Sequence, residues 1–255
     1  MVLIGESDRE AGDVAEGLLR TVVLSDASFQ RMALVNAEIV KLSVNTFVTT
    51  KISFANMLSE ICDALDGANV DAVTQAVGAD SRVGTKYLTG GLGYGGPCFP
   101  RDNIALAALG RQLGVDASIA TATDRVNDRQ VERVVQRVKS LGTDVKNVHV
   151  WGLSYKPDTE VIDASQGLQI ATKLADNGFQ VGIHDPQVAA SSITDARLTW
   201  ISDPFSNAPP DVIVLSTPWP LYIEGALSVA PRVAFIDPWG LAKVGSECNY
   251  VTPGR

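Results

Sequence analysis

Cys98 closes the run Thr89-Gly90-Gly91-Leu92-Gly93-Tyr94-Gly95-Gly96-Pro97-Cys98. Five glycines in seven positions let a backbone approach a ligand closely and offer it N–H groups. Pro97 and Pro100 flank the cysteine and restrict the turn that presents its thiol. A helix starting here would favour the thiolate, which is the nucleophile. Asp102 lies four residues on, placed to act as the N-cap of that helix or to hold a water or a base. The plainer alternative is a flexible loop carrying an inert cysteine. Lys41 and Asn45 form a second group, since a spacing of four puts both on one helix face. Ile39, Val40 and Leu42 around the lysine suit an ammonium aimed at an anion, or one that snorkels to water. A third stretch is Ser154-Tyr155-Lys156-Pro157-Asp158-Thr159, directly after a strand signal ending at Gly152. Open α/β sheets bind ligands at such strand ends.

These positions need a frame. Over 28–65 apolar residues recur mostly at three- and four-residue steps, with no glycine or proline until Gly67. That predicts one long helix, on the order of 50 Å, carrying Lys41 and Asn45. Residues 71–77, 102–113 and 123–141 read as further helices. Past Gly142 the period changes: 148–152, 180–184, 211–215 and 233–237 are strand signals, and 167–177 is a helix ending at Gly178. Strands alternating with helices predict a parallel sheet covered on both faces. Ahead of all this, 2–5 signals a short strand and 6–20 a helix. A lone strand and helix form no sheet by themselves, so they are expected to be the tail of a further domain. Three units are expected: a domain remnant at 1–22, an all-helical unit at 23–143 and an α/β unit at 144–255.

A chain of 255 residues, 45% apolar and 20% charged, suits one large domain or two ordinary ones. No apolar run reaches the roughly 18 to 20 residues of a membrane helix. The formal charge of 21 − 29 = −8 argues against nonspecific binding to nucleic acid or anionic membrane. Cys62, Cys98 and Cys248 are too few and scattered for a disulfide framework or a zinc site, so no metal is expected. A reducing, cytoplasmic location without a signal peptide follows as an expectation. His149 and His184 sit in strand patterns and are expected in the core. Cys62 and Cys248 read as small buried hydrophobes, and Trp151, Trp200, Trp219 and Trp239 as core or interface residues.

Three motifs together carry a resemblance. Asn36-Ala37-Glu38-Ile39-Val40-Lys41-Leu42-Ser43-Val44-Asn45 resembles the central helix of the UDP-glucose/GDP-mannose dehydrogenase family. Asp80-Ser81-Arg82-Val83-Gly84 with Gly93-Tyr94-Gly95-Gly96-Pro97-Cys98-Phe99-Pro100-Arg101-Asp102 resembles its catalytic loop. Gly152-Leu153-Ser154-Tyr155-Lys156-Pro157-Asp158-Thr159 resembles the entry to its C-terminal UDP-sugar domain. The resemblance implies an α/β protein in which a central all-helical dimerisation domain precedes a Rossmann-like UDP-sugar domain. It implies NAD-dependent oxidation of a nucleotide-sugar C6 hydroxyl to a carboxylate, UDP-glucose to UDP-glucuronate. Cys98 would be the nucleophile, forming a thiohemiacetal and then a thioester. Lys41 and Asn45 would hold a water and stabilise oxyanion charge, and Asp102 would position the base or hydrolytic water. Tyr87, Leu88, Thr89, Gly90, Gly91, Gly95 and Phe99 would cradle the sugar nucleotide. Lys156 would contact it, Arg82 would reach the nucleotide of a neighbouring subunit, and Arg255 would meet the diphosphate. Arg101 stands where the family has an NAD-contacting lysine, with the charge kept and the geometry changed. The implied partners are a UDP-sugar, a second copy through the helical unit and a separate chain supplying the NAD-binding domain, with no nucleic acid and no membrane.

The departures are as specific. The stretch after Gly152 lacks GxGxxG, and the family's first domain with its GxGxxG is expected to be missing, its acidic and hydroxyl groups with it. Asp163 replaces an arginine close to the NAD phosphates, a reversal of charge, and Met57 replaces a glutamate. Two alternatives therefore stand: a non-catalytic subunit that binds a UDP-sugar or dimerises, and a C-terminal dinucleotide site with Asp185 on the ribose.

Overall fold

A computed structural model describes residues 1–206, 208–245 and 248–255. The chain opens with β1 (Val2–Glu6), α1 (Arg9–Val22) and β2 (Phe29–Ala33). Asp8 caps α1 by accepting the Ala11 N–H at 2.9 Å. β1 and β2 pair in parallel as a two-stranded sheet, with Val2 opposite Phe29. The first strand thus has a partner, and the expected 28–65 helix instead begins at Leu34. Met32 and Val35 fit a helical step equally well. What decides the strand is tertiary: the Arg31 guanidinium is held by Glu6, Asp13 and Glu16.

The helical unit comprises α2 (Leu34–Asp63), α3 (Val70–Ala79), α4 (Phe99–Leu113) and α5 (Ser118–Ser140). With 30 residues α2 spans about 45 Å. It packs against both α4 and α5. Its inward face is polar and small, with Thr46, Thr49, Ser53, Asn56 and Ser59 all buried. Such side chains allow close helix approach because all of these but Thr46 find a nearby acceptor: Ser53 Oγ donates to the Thr123 carbonyl at 2.9 Å, and Thr50 and Thr123 share a hydrogen bond of 3.1 Å. The apolar periodicity faces outward instead, leaving Ile39, Phe47, Phe54 and Ile61 exposed.

The second unit holds β3 (Asn147–Trp151), α6 (Gln166–Asp176), β4 (Gln180–His184), β5 (Leu198–Trp200), β6 (Val212–Leu215), α7 (Pro220–Gly225), β7 (Ala234–Ile236) and β8 (Asn249–Val251). All pairings are parallel, in the order β5-β4-β3-β6-β7-β8. That is the Rossmann order, with its topological switch point between β3 and β6. One face packs Val148, Val150, Val181, Ile183, Val212 and Val214 against Ile170 and Leu174 of α6. Val131, Val134, Val135 and Val138 of α5 join this same core, so the last helix of the first unit also covers the sheet of the second. On the other face Trp151 is fully buried, stacked on Tyr222 at 5.2 Å with Phe205 and Phe235 edge-on. The short β5, β8 and α7 carry too few residues to show a period, which is why they escaped the sequence expectation.

Candidate active site

Lys41 and Asn45 project from α2 onto Asp102 of α4. The Lys41 ammonium pairs with Asp102 Oδ2, and Asn45 Nδ2 donates to the same oxygen at 2.5 Å. Arg101 Nε lies 3.6 Å from the other oxygen. The Asp102 side chain is 2% exposed against 48% for Lys41. Burial alone would raise the Asp102 carboxyl, but the Lys41 and Asn45 hydrogen bonds outweigh it and hold the group below its ordinary range. Cys98 is exposed and is itself the N-cap of α4, with Asp102 in the first turn rather than at the cap. The Cys98 carbonyl accepts the Asp102 N–H at 2.9 Å, and the thiol makes no capping bond. The structure therefore brings Cys98, Lys41, Asn45 and Asp102 to one junction of α2 and α4.

The glycine loop is clamped, not loose. Asn56 of α2 accepts the Gly91 N–H at 2.9 Å and donates to the Leu92 carbonyl at 3.0 Å. Asn127 of α5 accepts the Tyr94 N–H at 2.7 Å and donates to the Tyr94 carbonyl at 3.1 Å. Gly96 N–H goes to the Asp163 carbonyl at 2.8 Å. The α/β unit closes on the other side: a Cβ at Gly91 would lie 2.5 Å from the Trp239 ring, and one at Gly96, where φ is +83°, 2.7 Å from the Tyr155 ring. These N–H groups were expected to face a ligand. They are spent inside the protein, and the glycines instead admit two neighbouring domains at once.

The other expected residues divide. Leu88 and Gly90 are buried, Phe99 is half-buried, and Tyr87 and Thr89 are exposed, Tyr87 with φ of +62°. Gly95 is buried with the Ala164 carbonyl 2.5 Å from where its Cβ would lie. Arg82 is exposed and pairs with Asp80 at 2.6 Å. Lys156 is exposed, its ammonium 5.6 Å from the Tyr155 ring centroid. Arg255 is turned inward and donates to Asp71 at 2.7 Å, the Pro238 carbonyl at 2.7 Å and the Gly90 carbonyl at 3.0 Å. Asp185 is overturned as a ribose ligand. It is 3% exposed, and its oxygens accept the N–H groups of Leu153, Ser154, Gln187 and Val188, the Ser154 hydroxyl and the Trp219 indole. Asp163 is exposed, and Met57 is half-buried on α2.

Asn56, Asn103, Asn127, Tyr94 and Asp124 escaped the sequence expectation. Tyr94 donates to Asp124 at 2.5 Å, and Asn103, beside Asp102, donates to both at 2.9 Å. A signal existed on α2: Lys41, Asn45, Thr49, Ser53, Asn56 and Ser59 follow at steps of three and four, a polar stripe within an apolar helix.

Among the described residues no group of histidine, cysteine or carboxylate side chains could hold a metal, and no helix is long and apolar enough to cross a membrane. Residues 35–129 match the central domain of the UDP-glucose/GDP-mannose dehydrogenase family, and 149–241 match its UDP binding domain. A UDP-glucose 6-dehydrogenase of Pseudomonas aeruginosa is 32% identical over 86% of this chain and 50% of its own length. The UDP-glucose 6-dehydrogenase TuaD of Bacillus subtilis is 31% identical over 86% of this chain and 48% of its own. The chain thus spans about half the length of these relatives. The structure of a UDP-glucose dehydrogenase from Pyrobaculum islandicum superposes with a TM-score of 0.84 at 30% identity, over 99% of this chain and 58% of that one. By both of its domains, the chain belongs to the UDP-glucose/GDP-mannose dehydrogenase family.

Proposed function

We propose that this chain carries the thiol-dependent part of a nucleotide-sugar C6 oxidation, with UDP-glucose as the sugar nucleotide and UDP-glucuronate as product. The observation that carries this is the junction of Cys98 with Lys41, Asn45 and Asp102. Cys98 Sγ adds to the C6 carbonyl of the aldehyde, and the carbonyl electron pair becomes an oxyanion. Lys41 has three N–H donors and Asn45 two, and Asp102 occupies one of each, so donors remain for that oxygen. At the last stage a water adds to C6 of the thioester, the C–S bond breaks, and carboxylate, thiolate and two protons leave.

The oxidations between these stages require NAD as hydride acceptor. The described residues do not fit it: Asp185 is fully engaged, and Arg101 is the one expected cofactor contact. We assign the NAD pocket to a dinucleotide-binding unit outside residues 1–255, docked on α1 and β1, where Val14, Leu18 and Val22 form an exposed apolar stripe. The exposed face of α2, with Phe47, Phe54 and Ile61 at seven-residue steps, supports a homodimer through the helical unit.

Iodoacetamide labelling of Cys98 with and without UDP-glucose tests the site, and NADH formation with the dinucleotide-binding unit added tests the chemistry. UDP-glucose is expected to protect the thiol, and Cys98→Ala to abolish NADH. Absence of both protection and turnover rejects the dehydrogenase role. Protection together with full turnover in Cys98→Ala would leave a non-catalytic UDP-sugar-binding subunit.

A further inference from the structure

We propose that Asn56 and Asn127 are positioning residues that hold the cysteine loop in its reactive register; the proposal rests on the reading of that loop as the active site. Each carboxamide satisfies one loop N–H and one loop carbonyl. Asn56 takes Gly91 N–H at 2.9 Å and Leu92 C=O at 3.0 Å, and Asn127 takes Tyr94 N–H at 2.7 Å and Tyr94 C=O at 3.1 Å. This donor-and-acceptor pairing is what a neighbouring strand would supply. Here two helices supply it through side chains, whose carboxamides present a donor and an acceptor side by side as a peptide group does. Asn56 is 0% and Asn127 6% exposed, so no water substitutes for either.

The two clamps flank Gly93, where a Cβ would lie 2.3 Å from Asn127 Oδ1. Four consecutive residues, 91–94, are thereby fixed, and Cys98 follows four positions later. Asn56 shares α2 with Lys41 and Asn45, so one helix carries both the partners of Asp102 and the clamp on the cysteine loop. Asn127 ties the loop to α5, whose later turns enter the core of the α/β unit. The cysteine register thus depends on the relative placement of α2 and α5 as well as on the loop's own glycines.

The test is the UDP-glucose concentration that half-protects Cys98 from iodoacetamide, read by peptide mass in the full chain. Asn127→Ala and Asn56→Ala are expected to raise that midpoint at least tenfold, and Asn127→Asp, which keeps the acceptor and loses the donor, to raise it less. Asn127→Asp also serves if the alanine variant does not fold. Ile170→Ala, a core truncation in α6 chosen to lower Tm comparably, is expected to leave the midpoint unchanged. An equal shift in Ile170→Ala, or no shift in the asparagine variants, overturns the positioning role while protection of the unaltered chain stands. Loss of protection in the unaltered chain removes the active-site reading, and this proposal with it.

Discussion

Lys41 and Asp102 form an ion pair between α2 and α4 across 61 positions of sequence, and the carboxylate is the buried member. Burying a carboxylate is costly unless it is paired and hydrogen-bonded. Here a lysine, an asparagine amide and, at longer range, an arginine surround it. The first turn of the cysteine helix is thereby pinned to the long helix.

Asp102→Asn removes the charge and keeps the shape. It is expected to cost about 2 kcal/mol, the scale of a hydrogen bond to a charged group, and to lower turnover at least tenfold. The folded carboxyl lies below the ordinary aspartate value of 3.8, so the stabilisation is fully present above about pH 4 and is lost as pH falls through the lower folded value. Tm measured from pH 6 to 2 checks this: the unaltered protein should lose stability below pH 4, with a smaller acid loss in Asp102→Asn.

Gly96→Ala meets two penalties, a left-handed φ of +83° and the Tyr155 ring at 2.7 Å. A loss of about 2 to 3 kcal/mol is expected. Tyr155→Ala in the same chain relieves the ring and leaves the backbone strain, so urea melts of the double variant should recover part of the loss and not all of it.

His184 is buried, with Nδ1 at 2.7 Å from the Tyr222 hydroxyl, which in turn donates to the His184 carbonyl at 2.9 Å. With the hydroxyl proton used, Nδ1 must be the donor, and this arrangement holds with the ring neutral. Burial lowers the pKa of both His184 and His149 from 6.5. Their stabilisation is therefore present above about pH 6.5 and lost as pH falls below it. Urea midpoints between pH 7.5 and 5 should drop, and His184→Gln should flatten that slope.

Phe47 is 67% exposed in the single chain. Phe47→Glu should leave a monomer's Tm nearly unchanged but convert a dimer to monomer by light scattering and remove the dependence of Tm on protein concentration. A dimer that survives Phe47→Glu and Phe54→Glu together would place the interface elsewhere.

Arg255→Ala strips a side chain only 8% exposed from Asp71 and from the carbonyls of Gly90 and Pro238. A loss of about 2 kcal/mol without any ligand present is expected. A Tm unchanged in the free protein would mean that the arginine serves the ligand alone.

Much of this protein was legible in its residues. The glycine loop with Cys98, the Lys41–Asn45 pair and the alternation of strands with helices past Gly142 are local patterns, written within one or two turns or one strand of chain. The parallel sheet followed from them, and its Rossmann-like character from the family resemblance. What the tertiary structure alone decided lies where partners are distant in sequence. Phe29–Ala33 is a strand because β1 and the carboxylates around Arg31 hold it there, against a helical period. The long helix turns its polar stripe inward because Thr123, Leu92 and Gly91 supply the hydrogen bonds that make burial of Ser53 and Asn56 tolerable. The roles of Asp185 and Arg255 depended likewise on which acceptors and donors the fold brought within 3 Å or so. A side chain's type states which bonds it can make, and only the packing of remote elements states which of them it has already made.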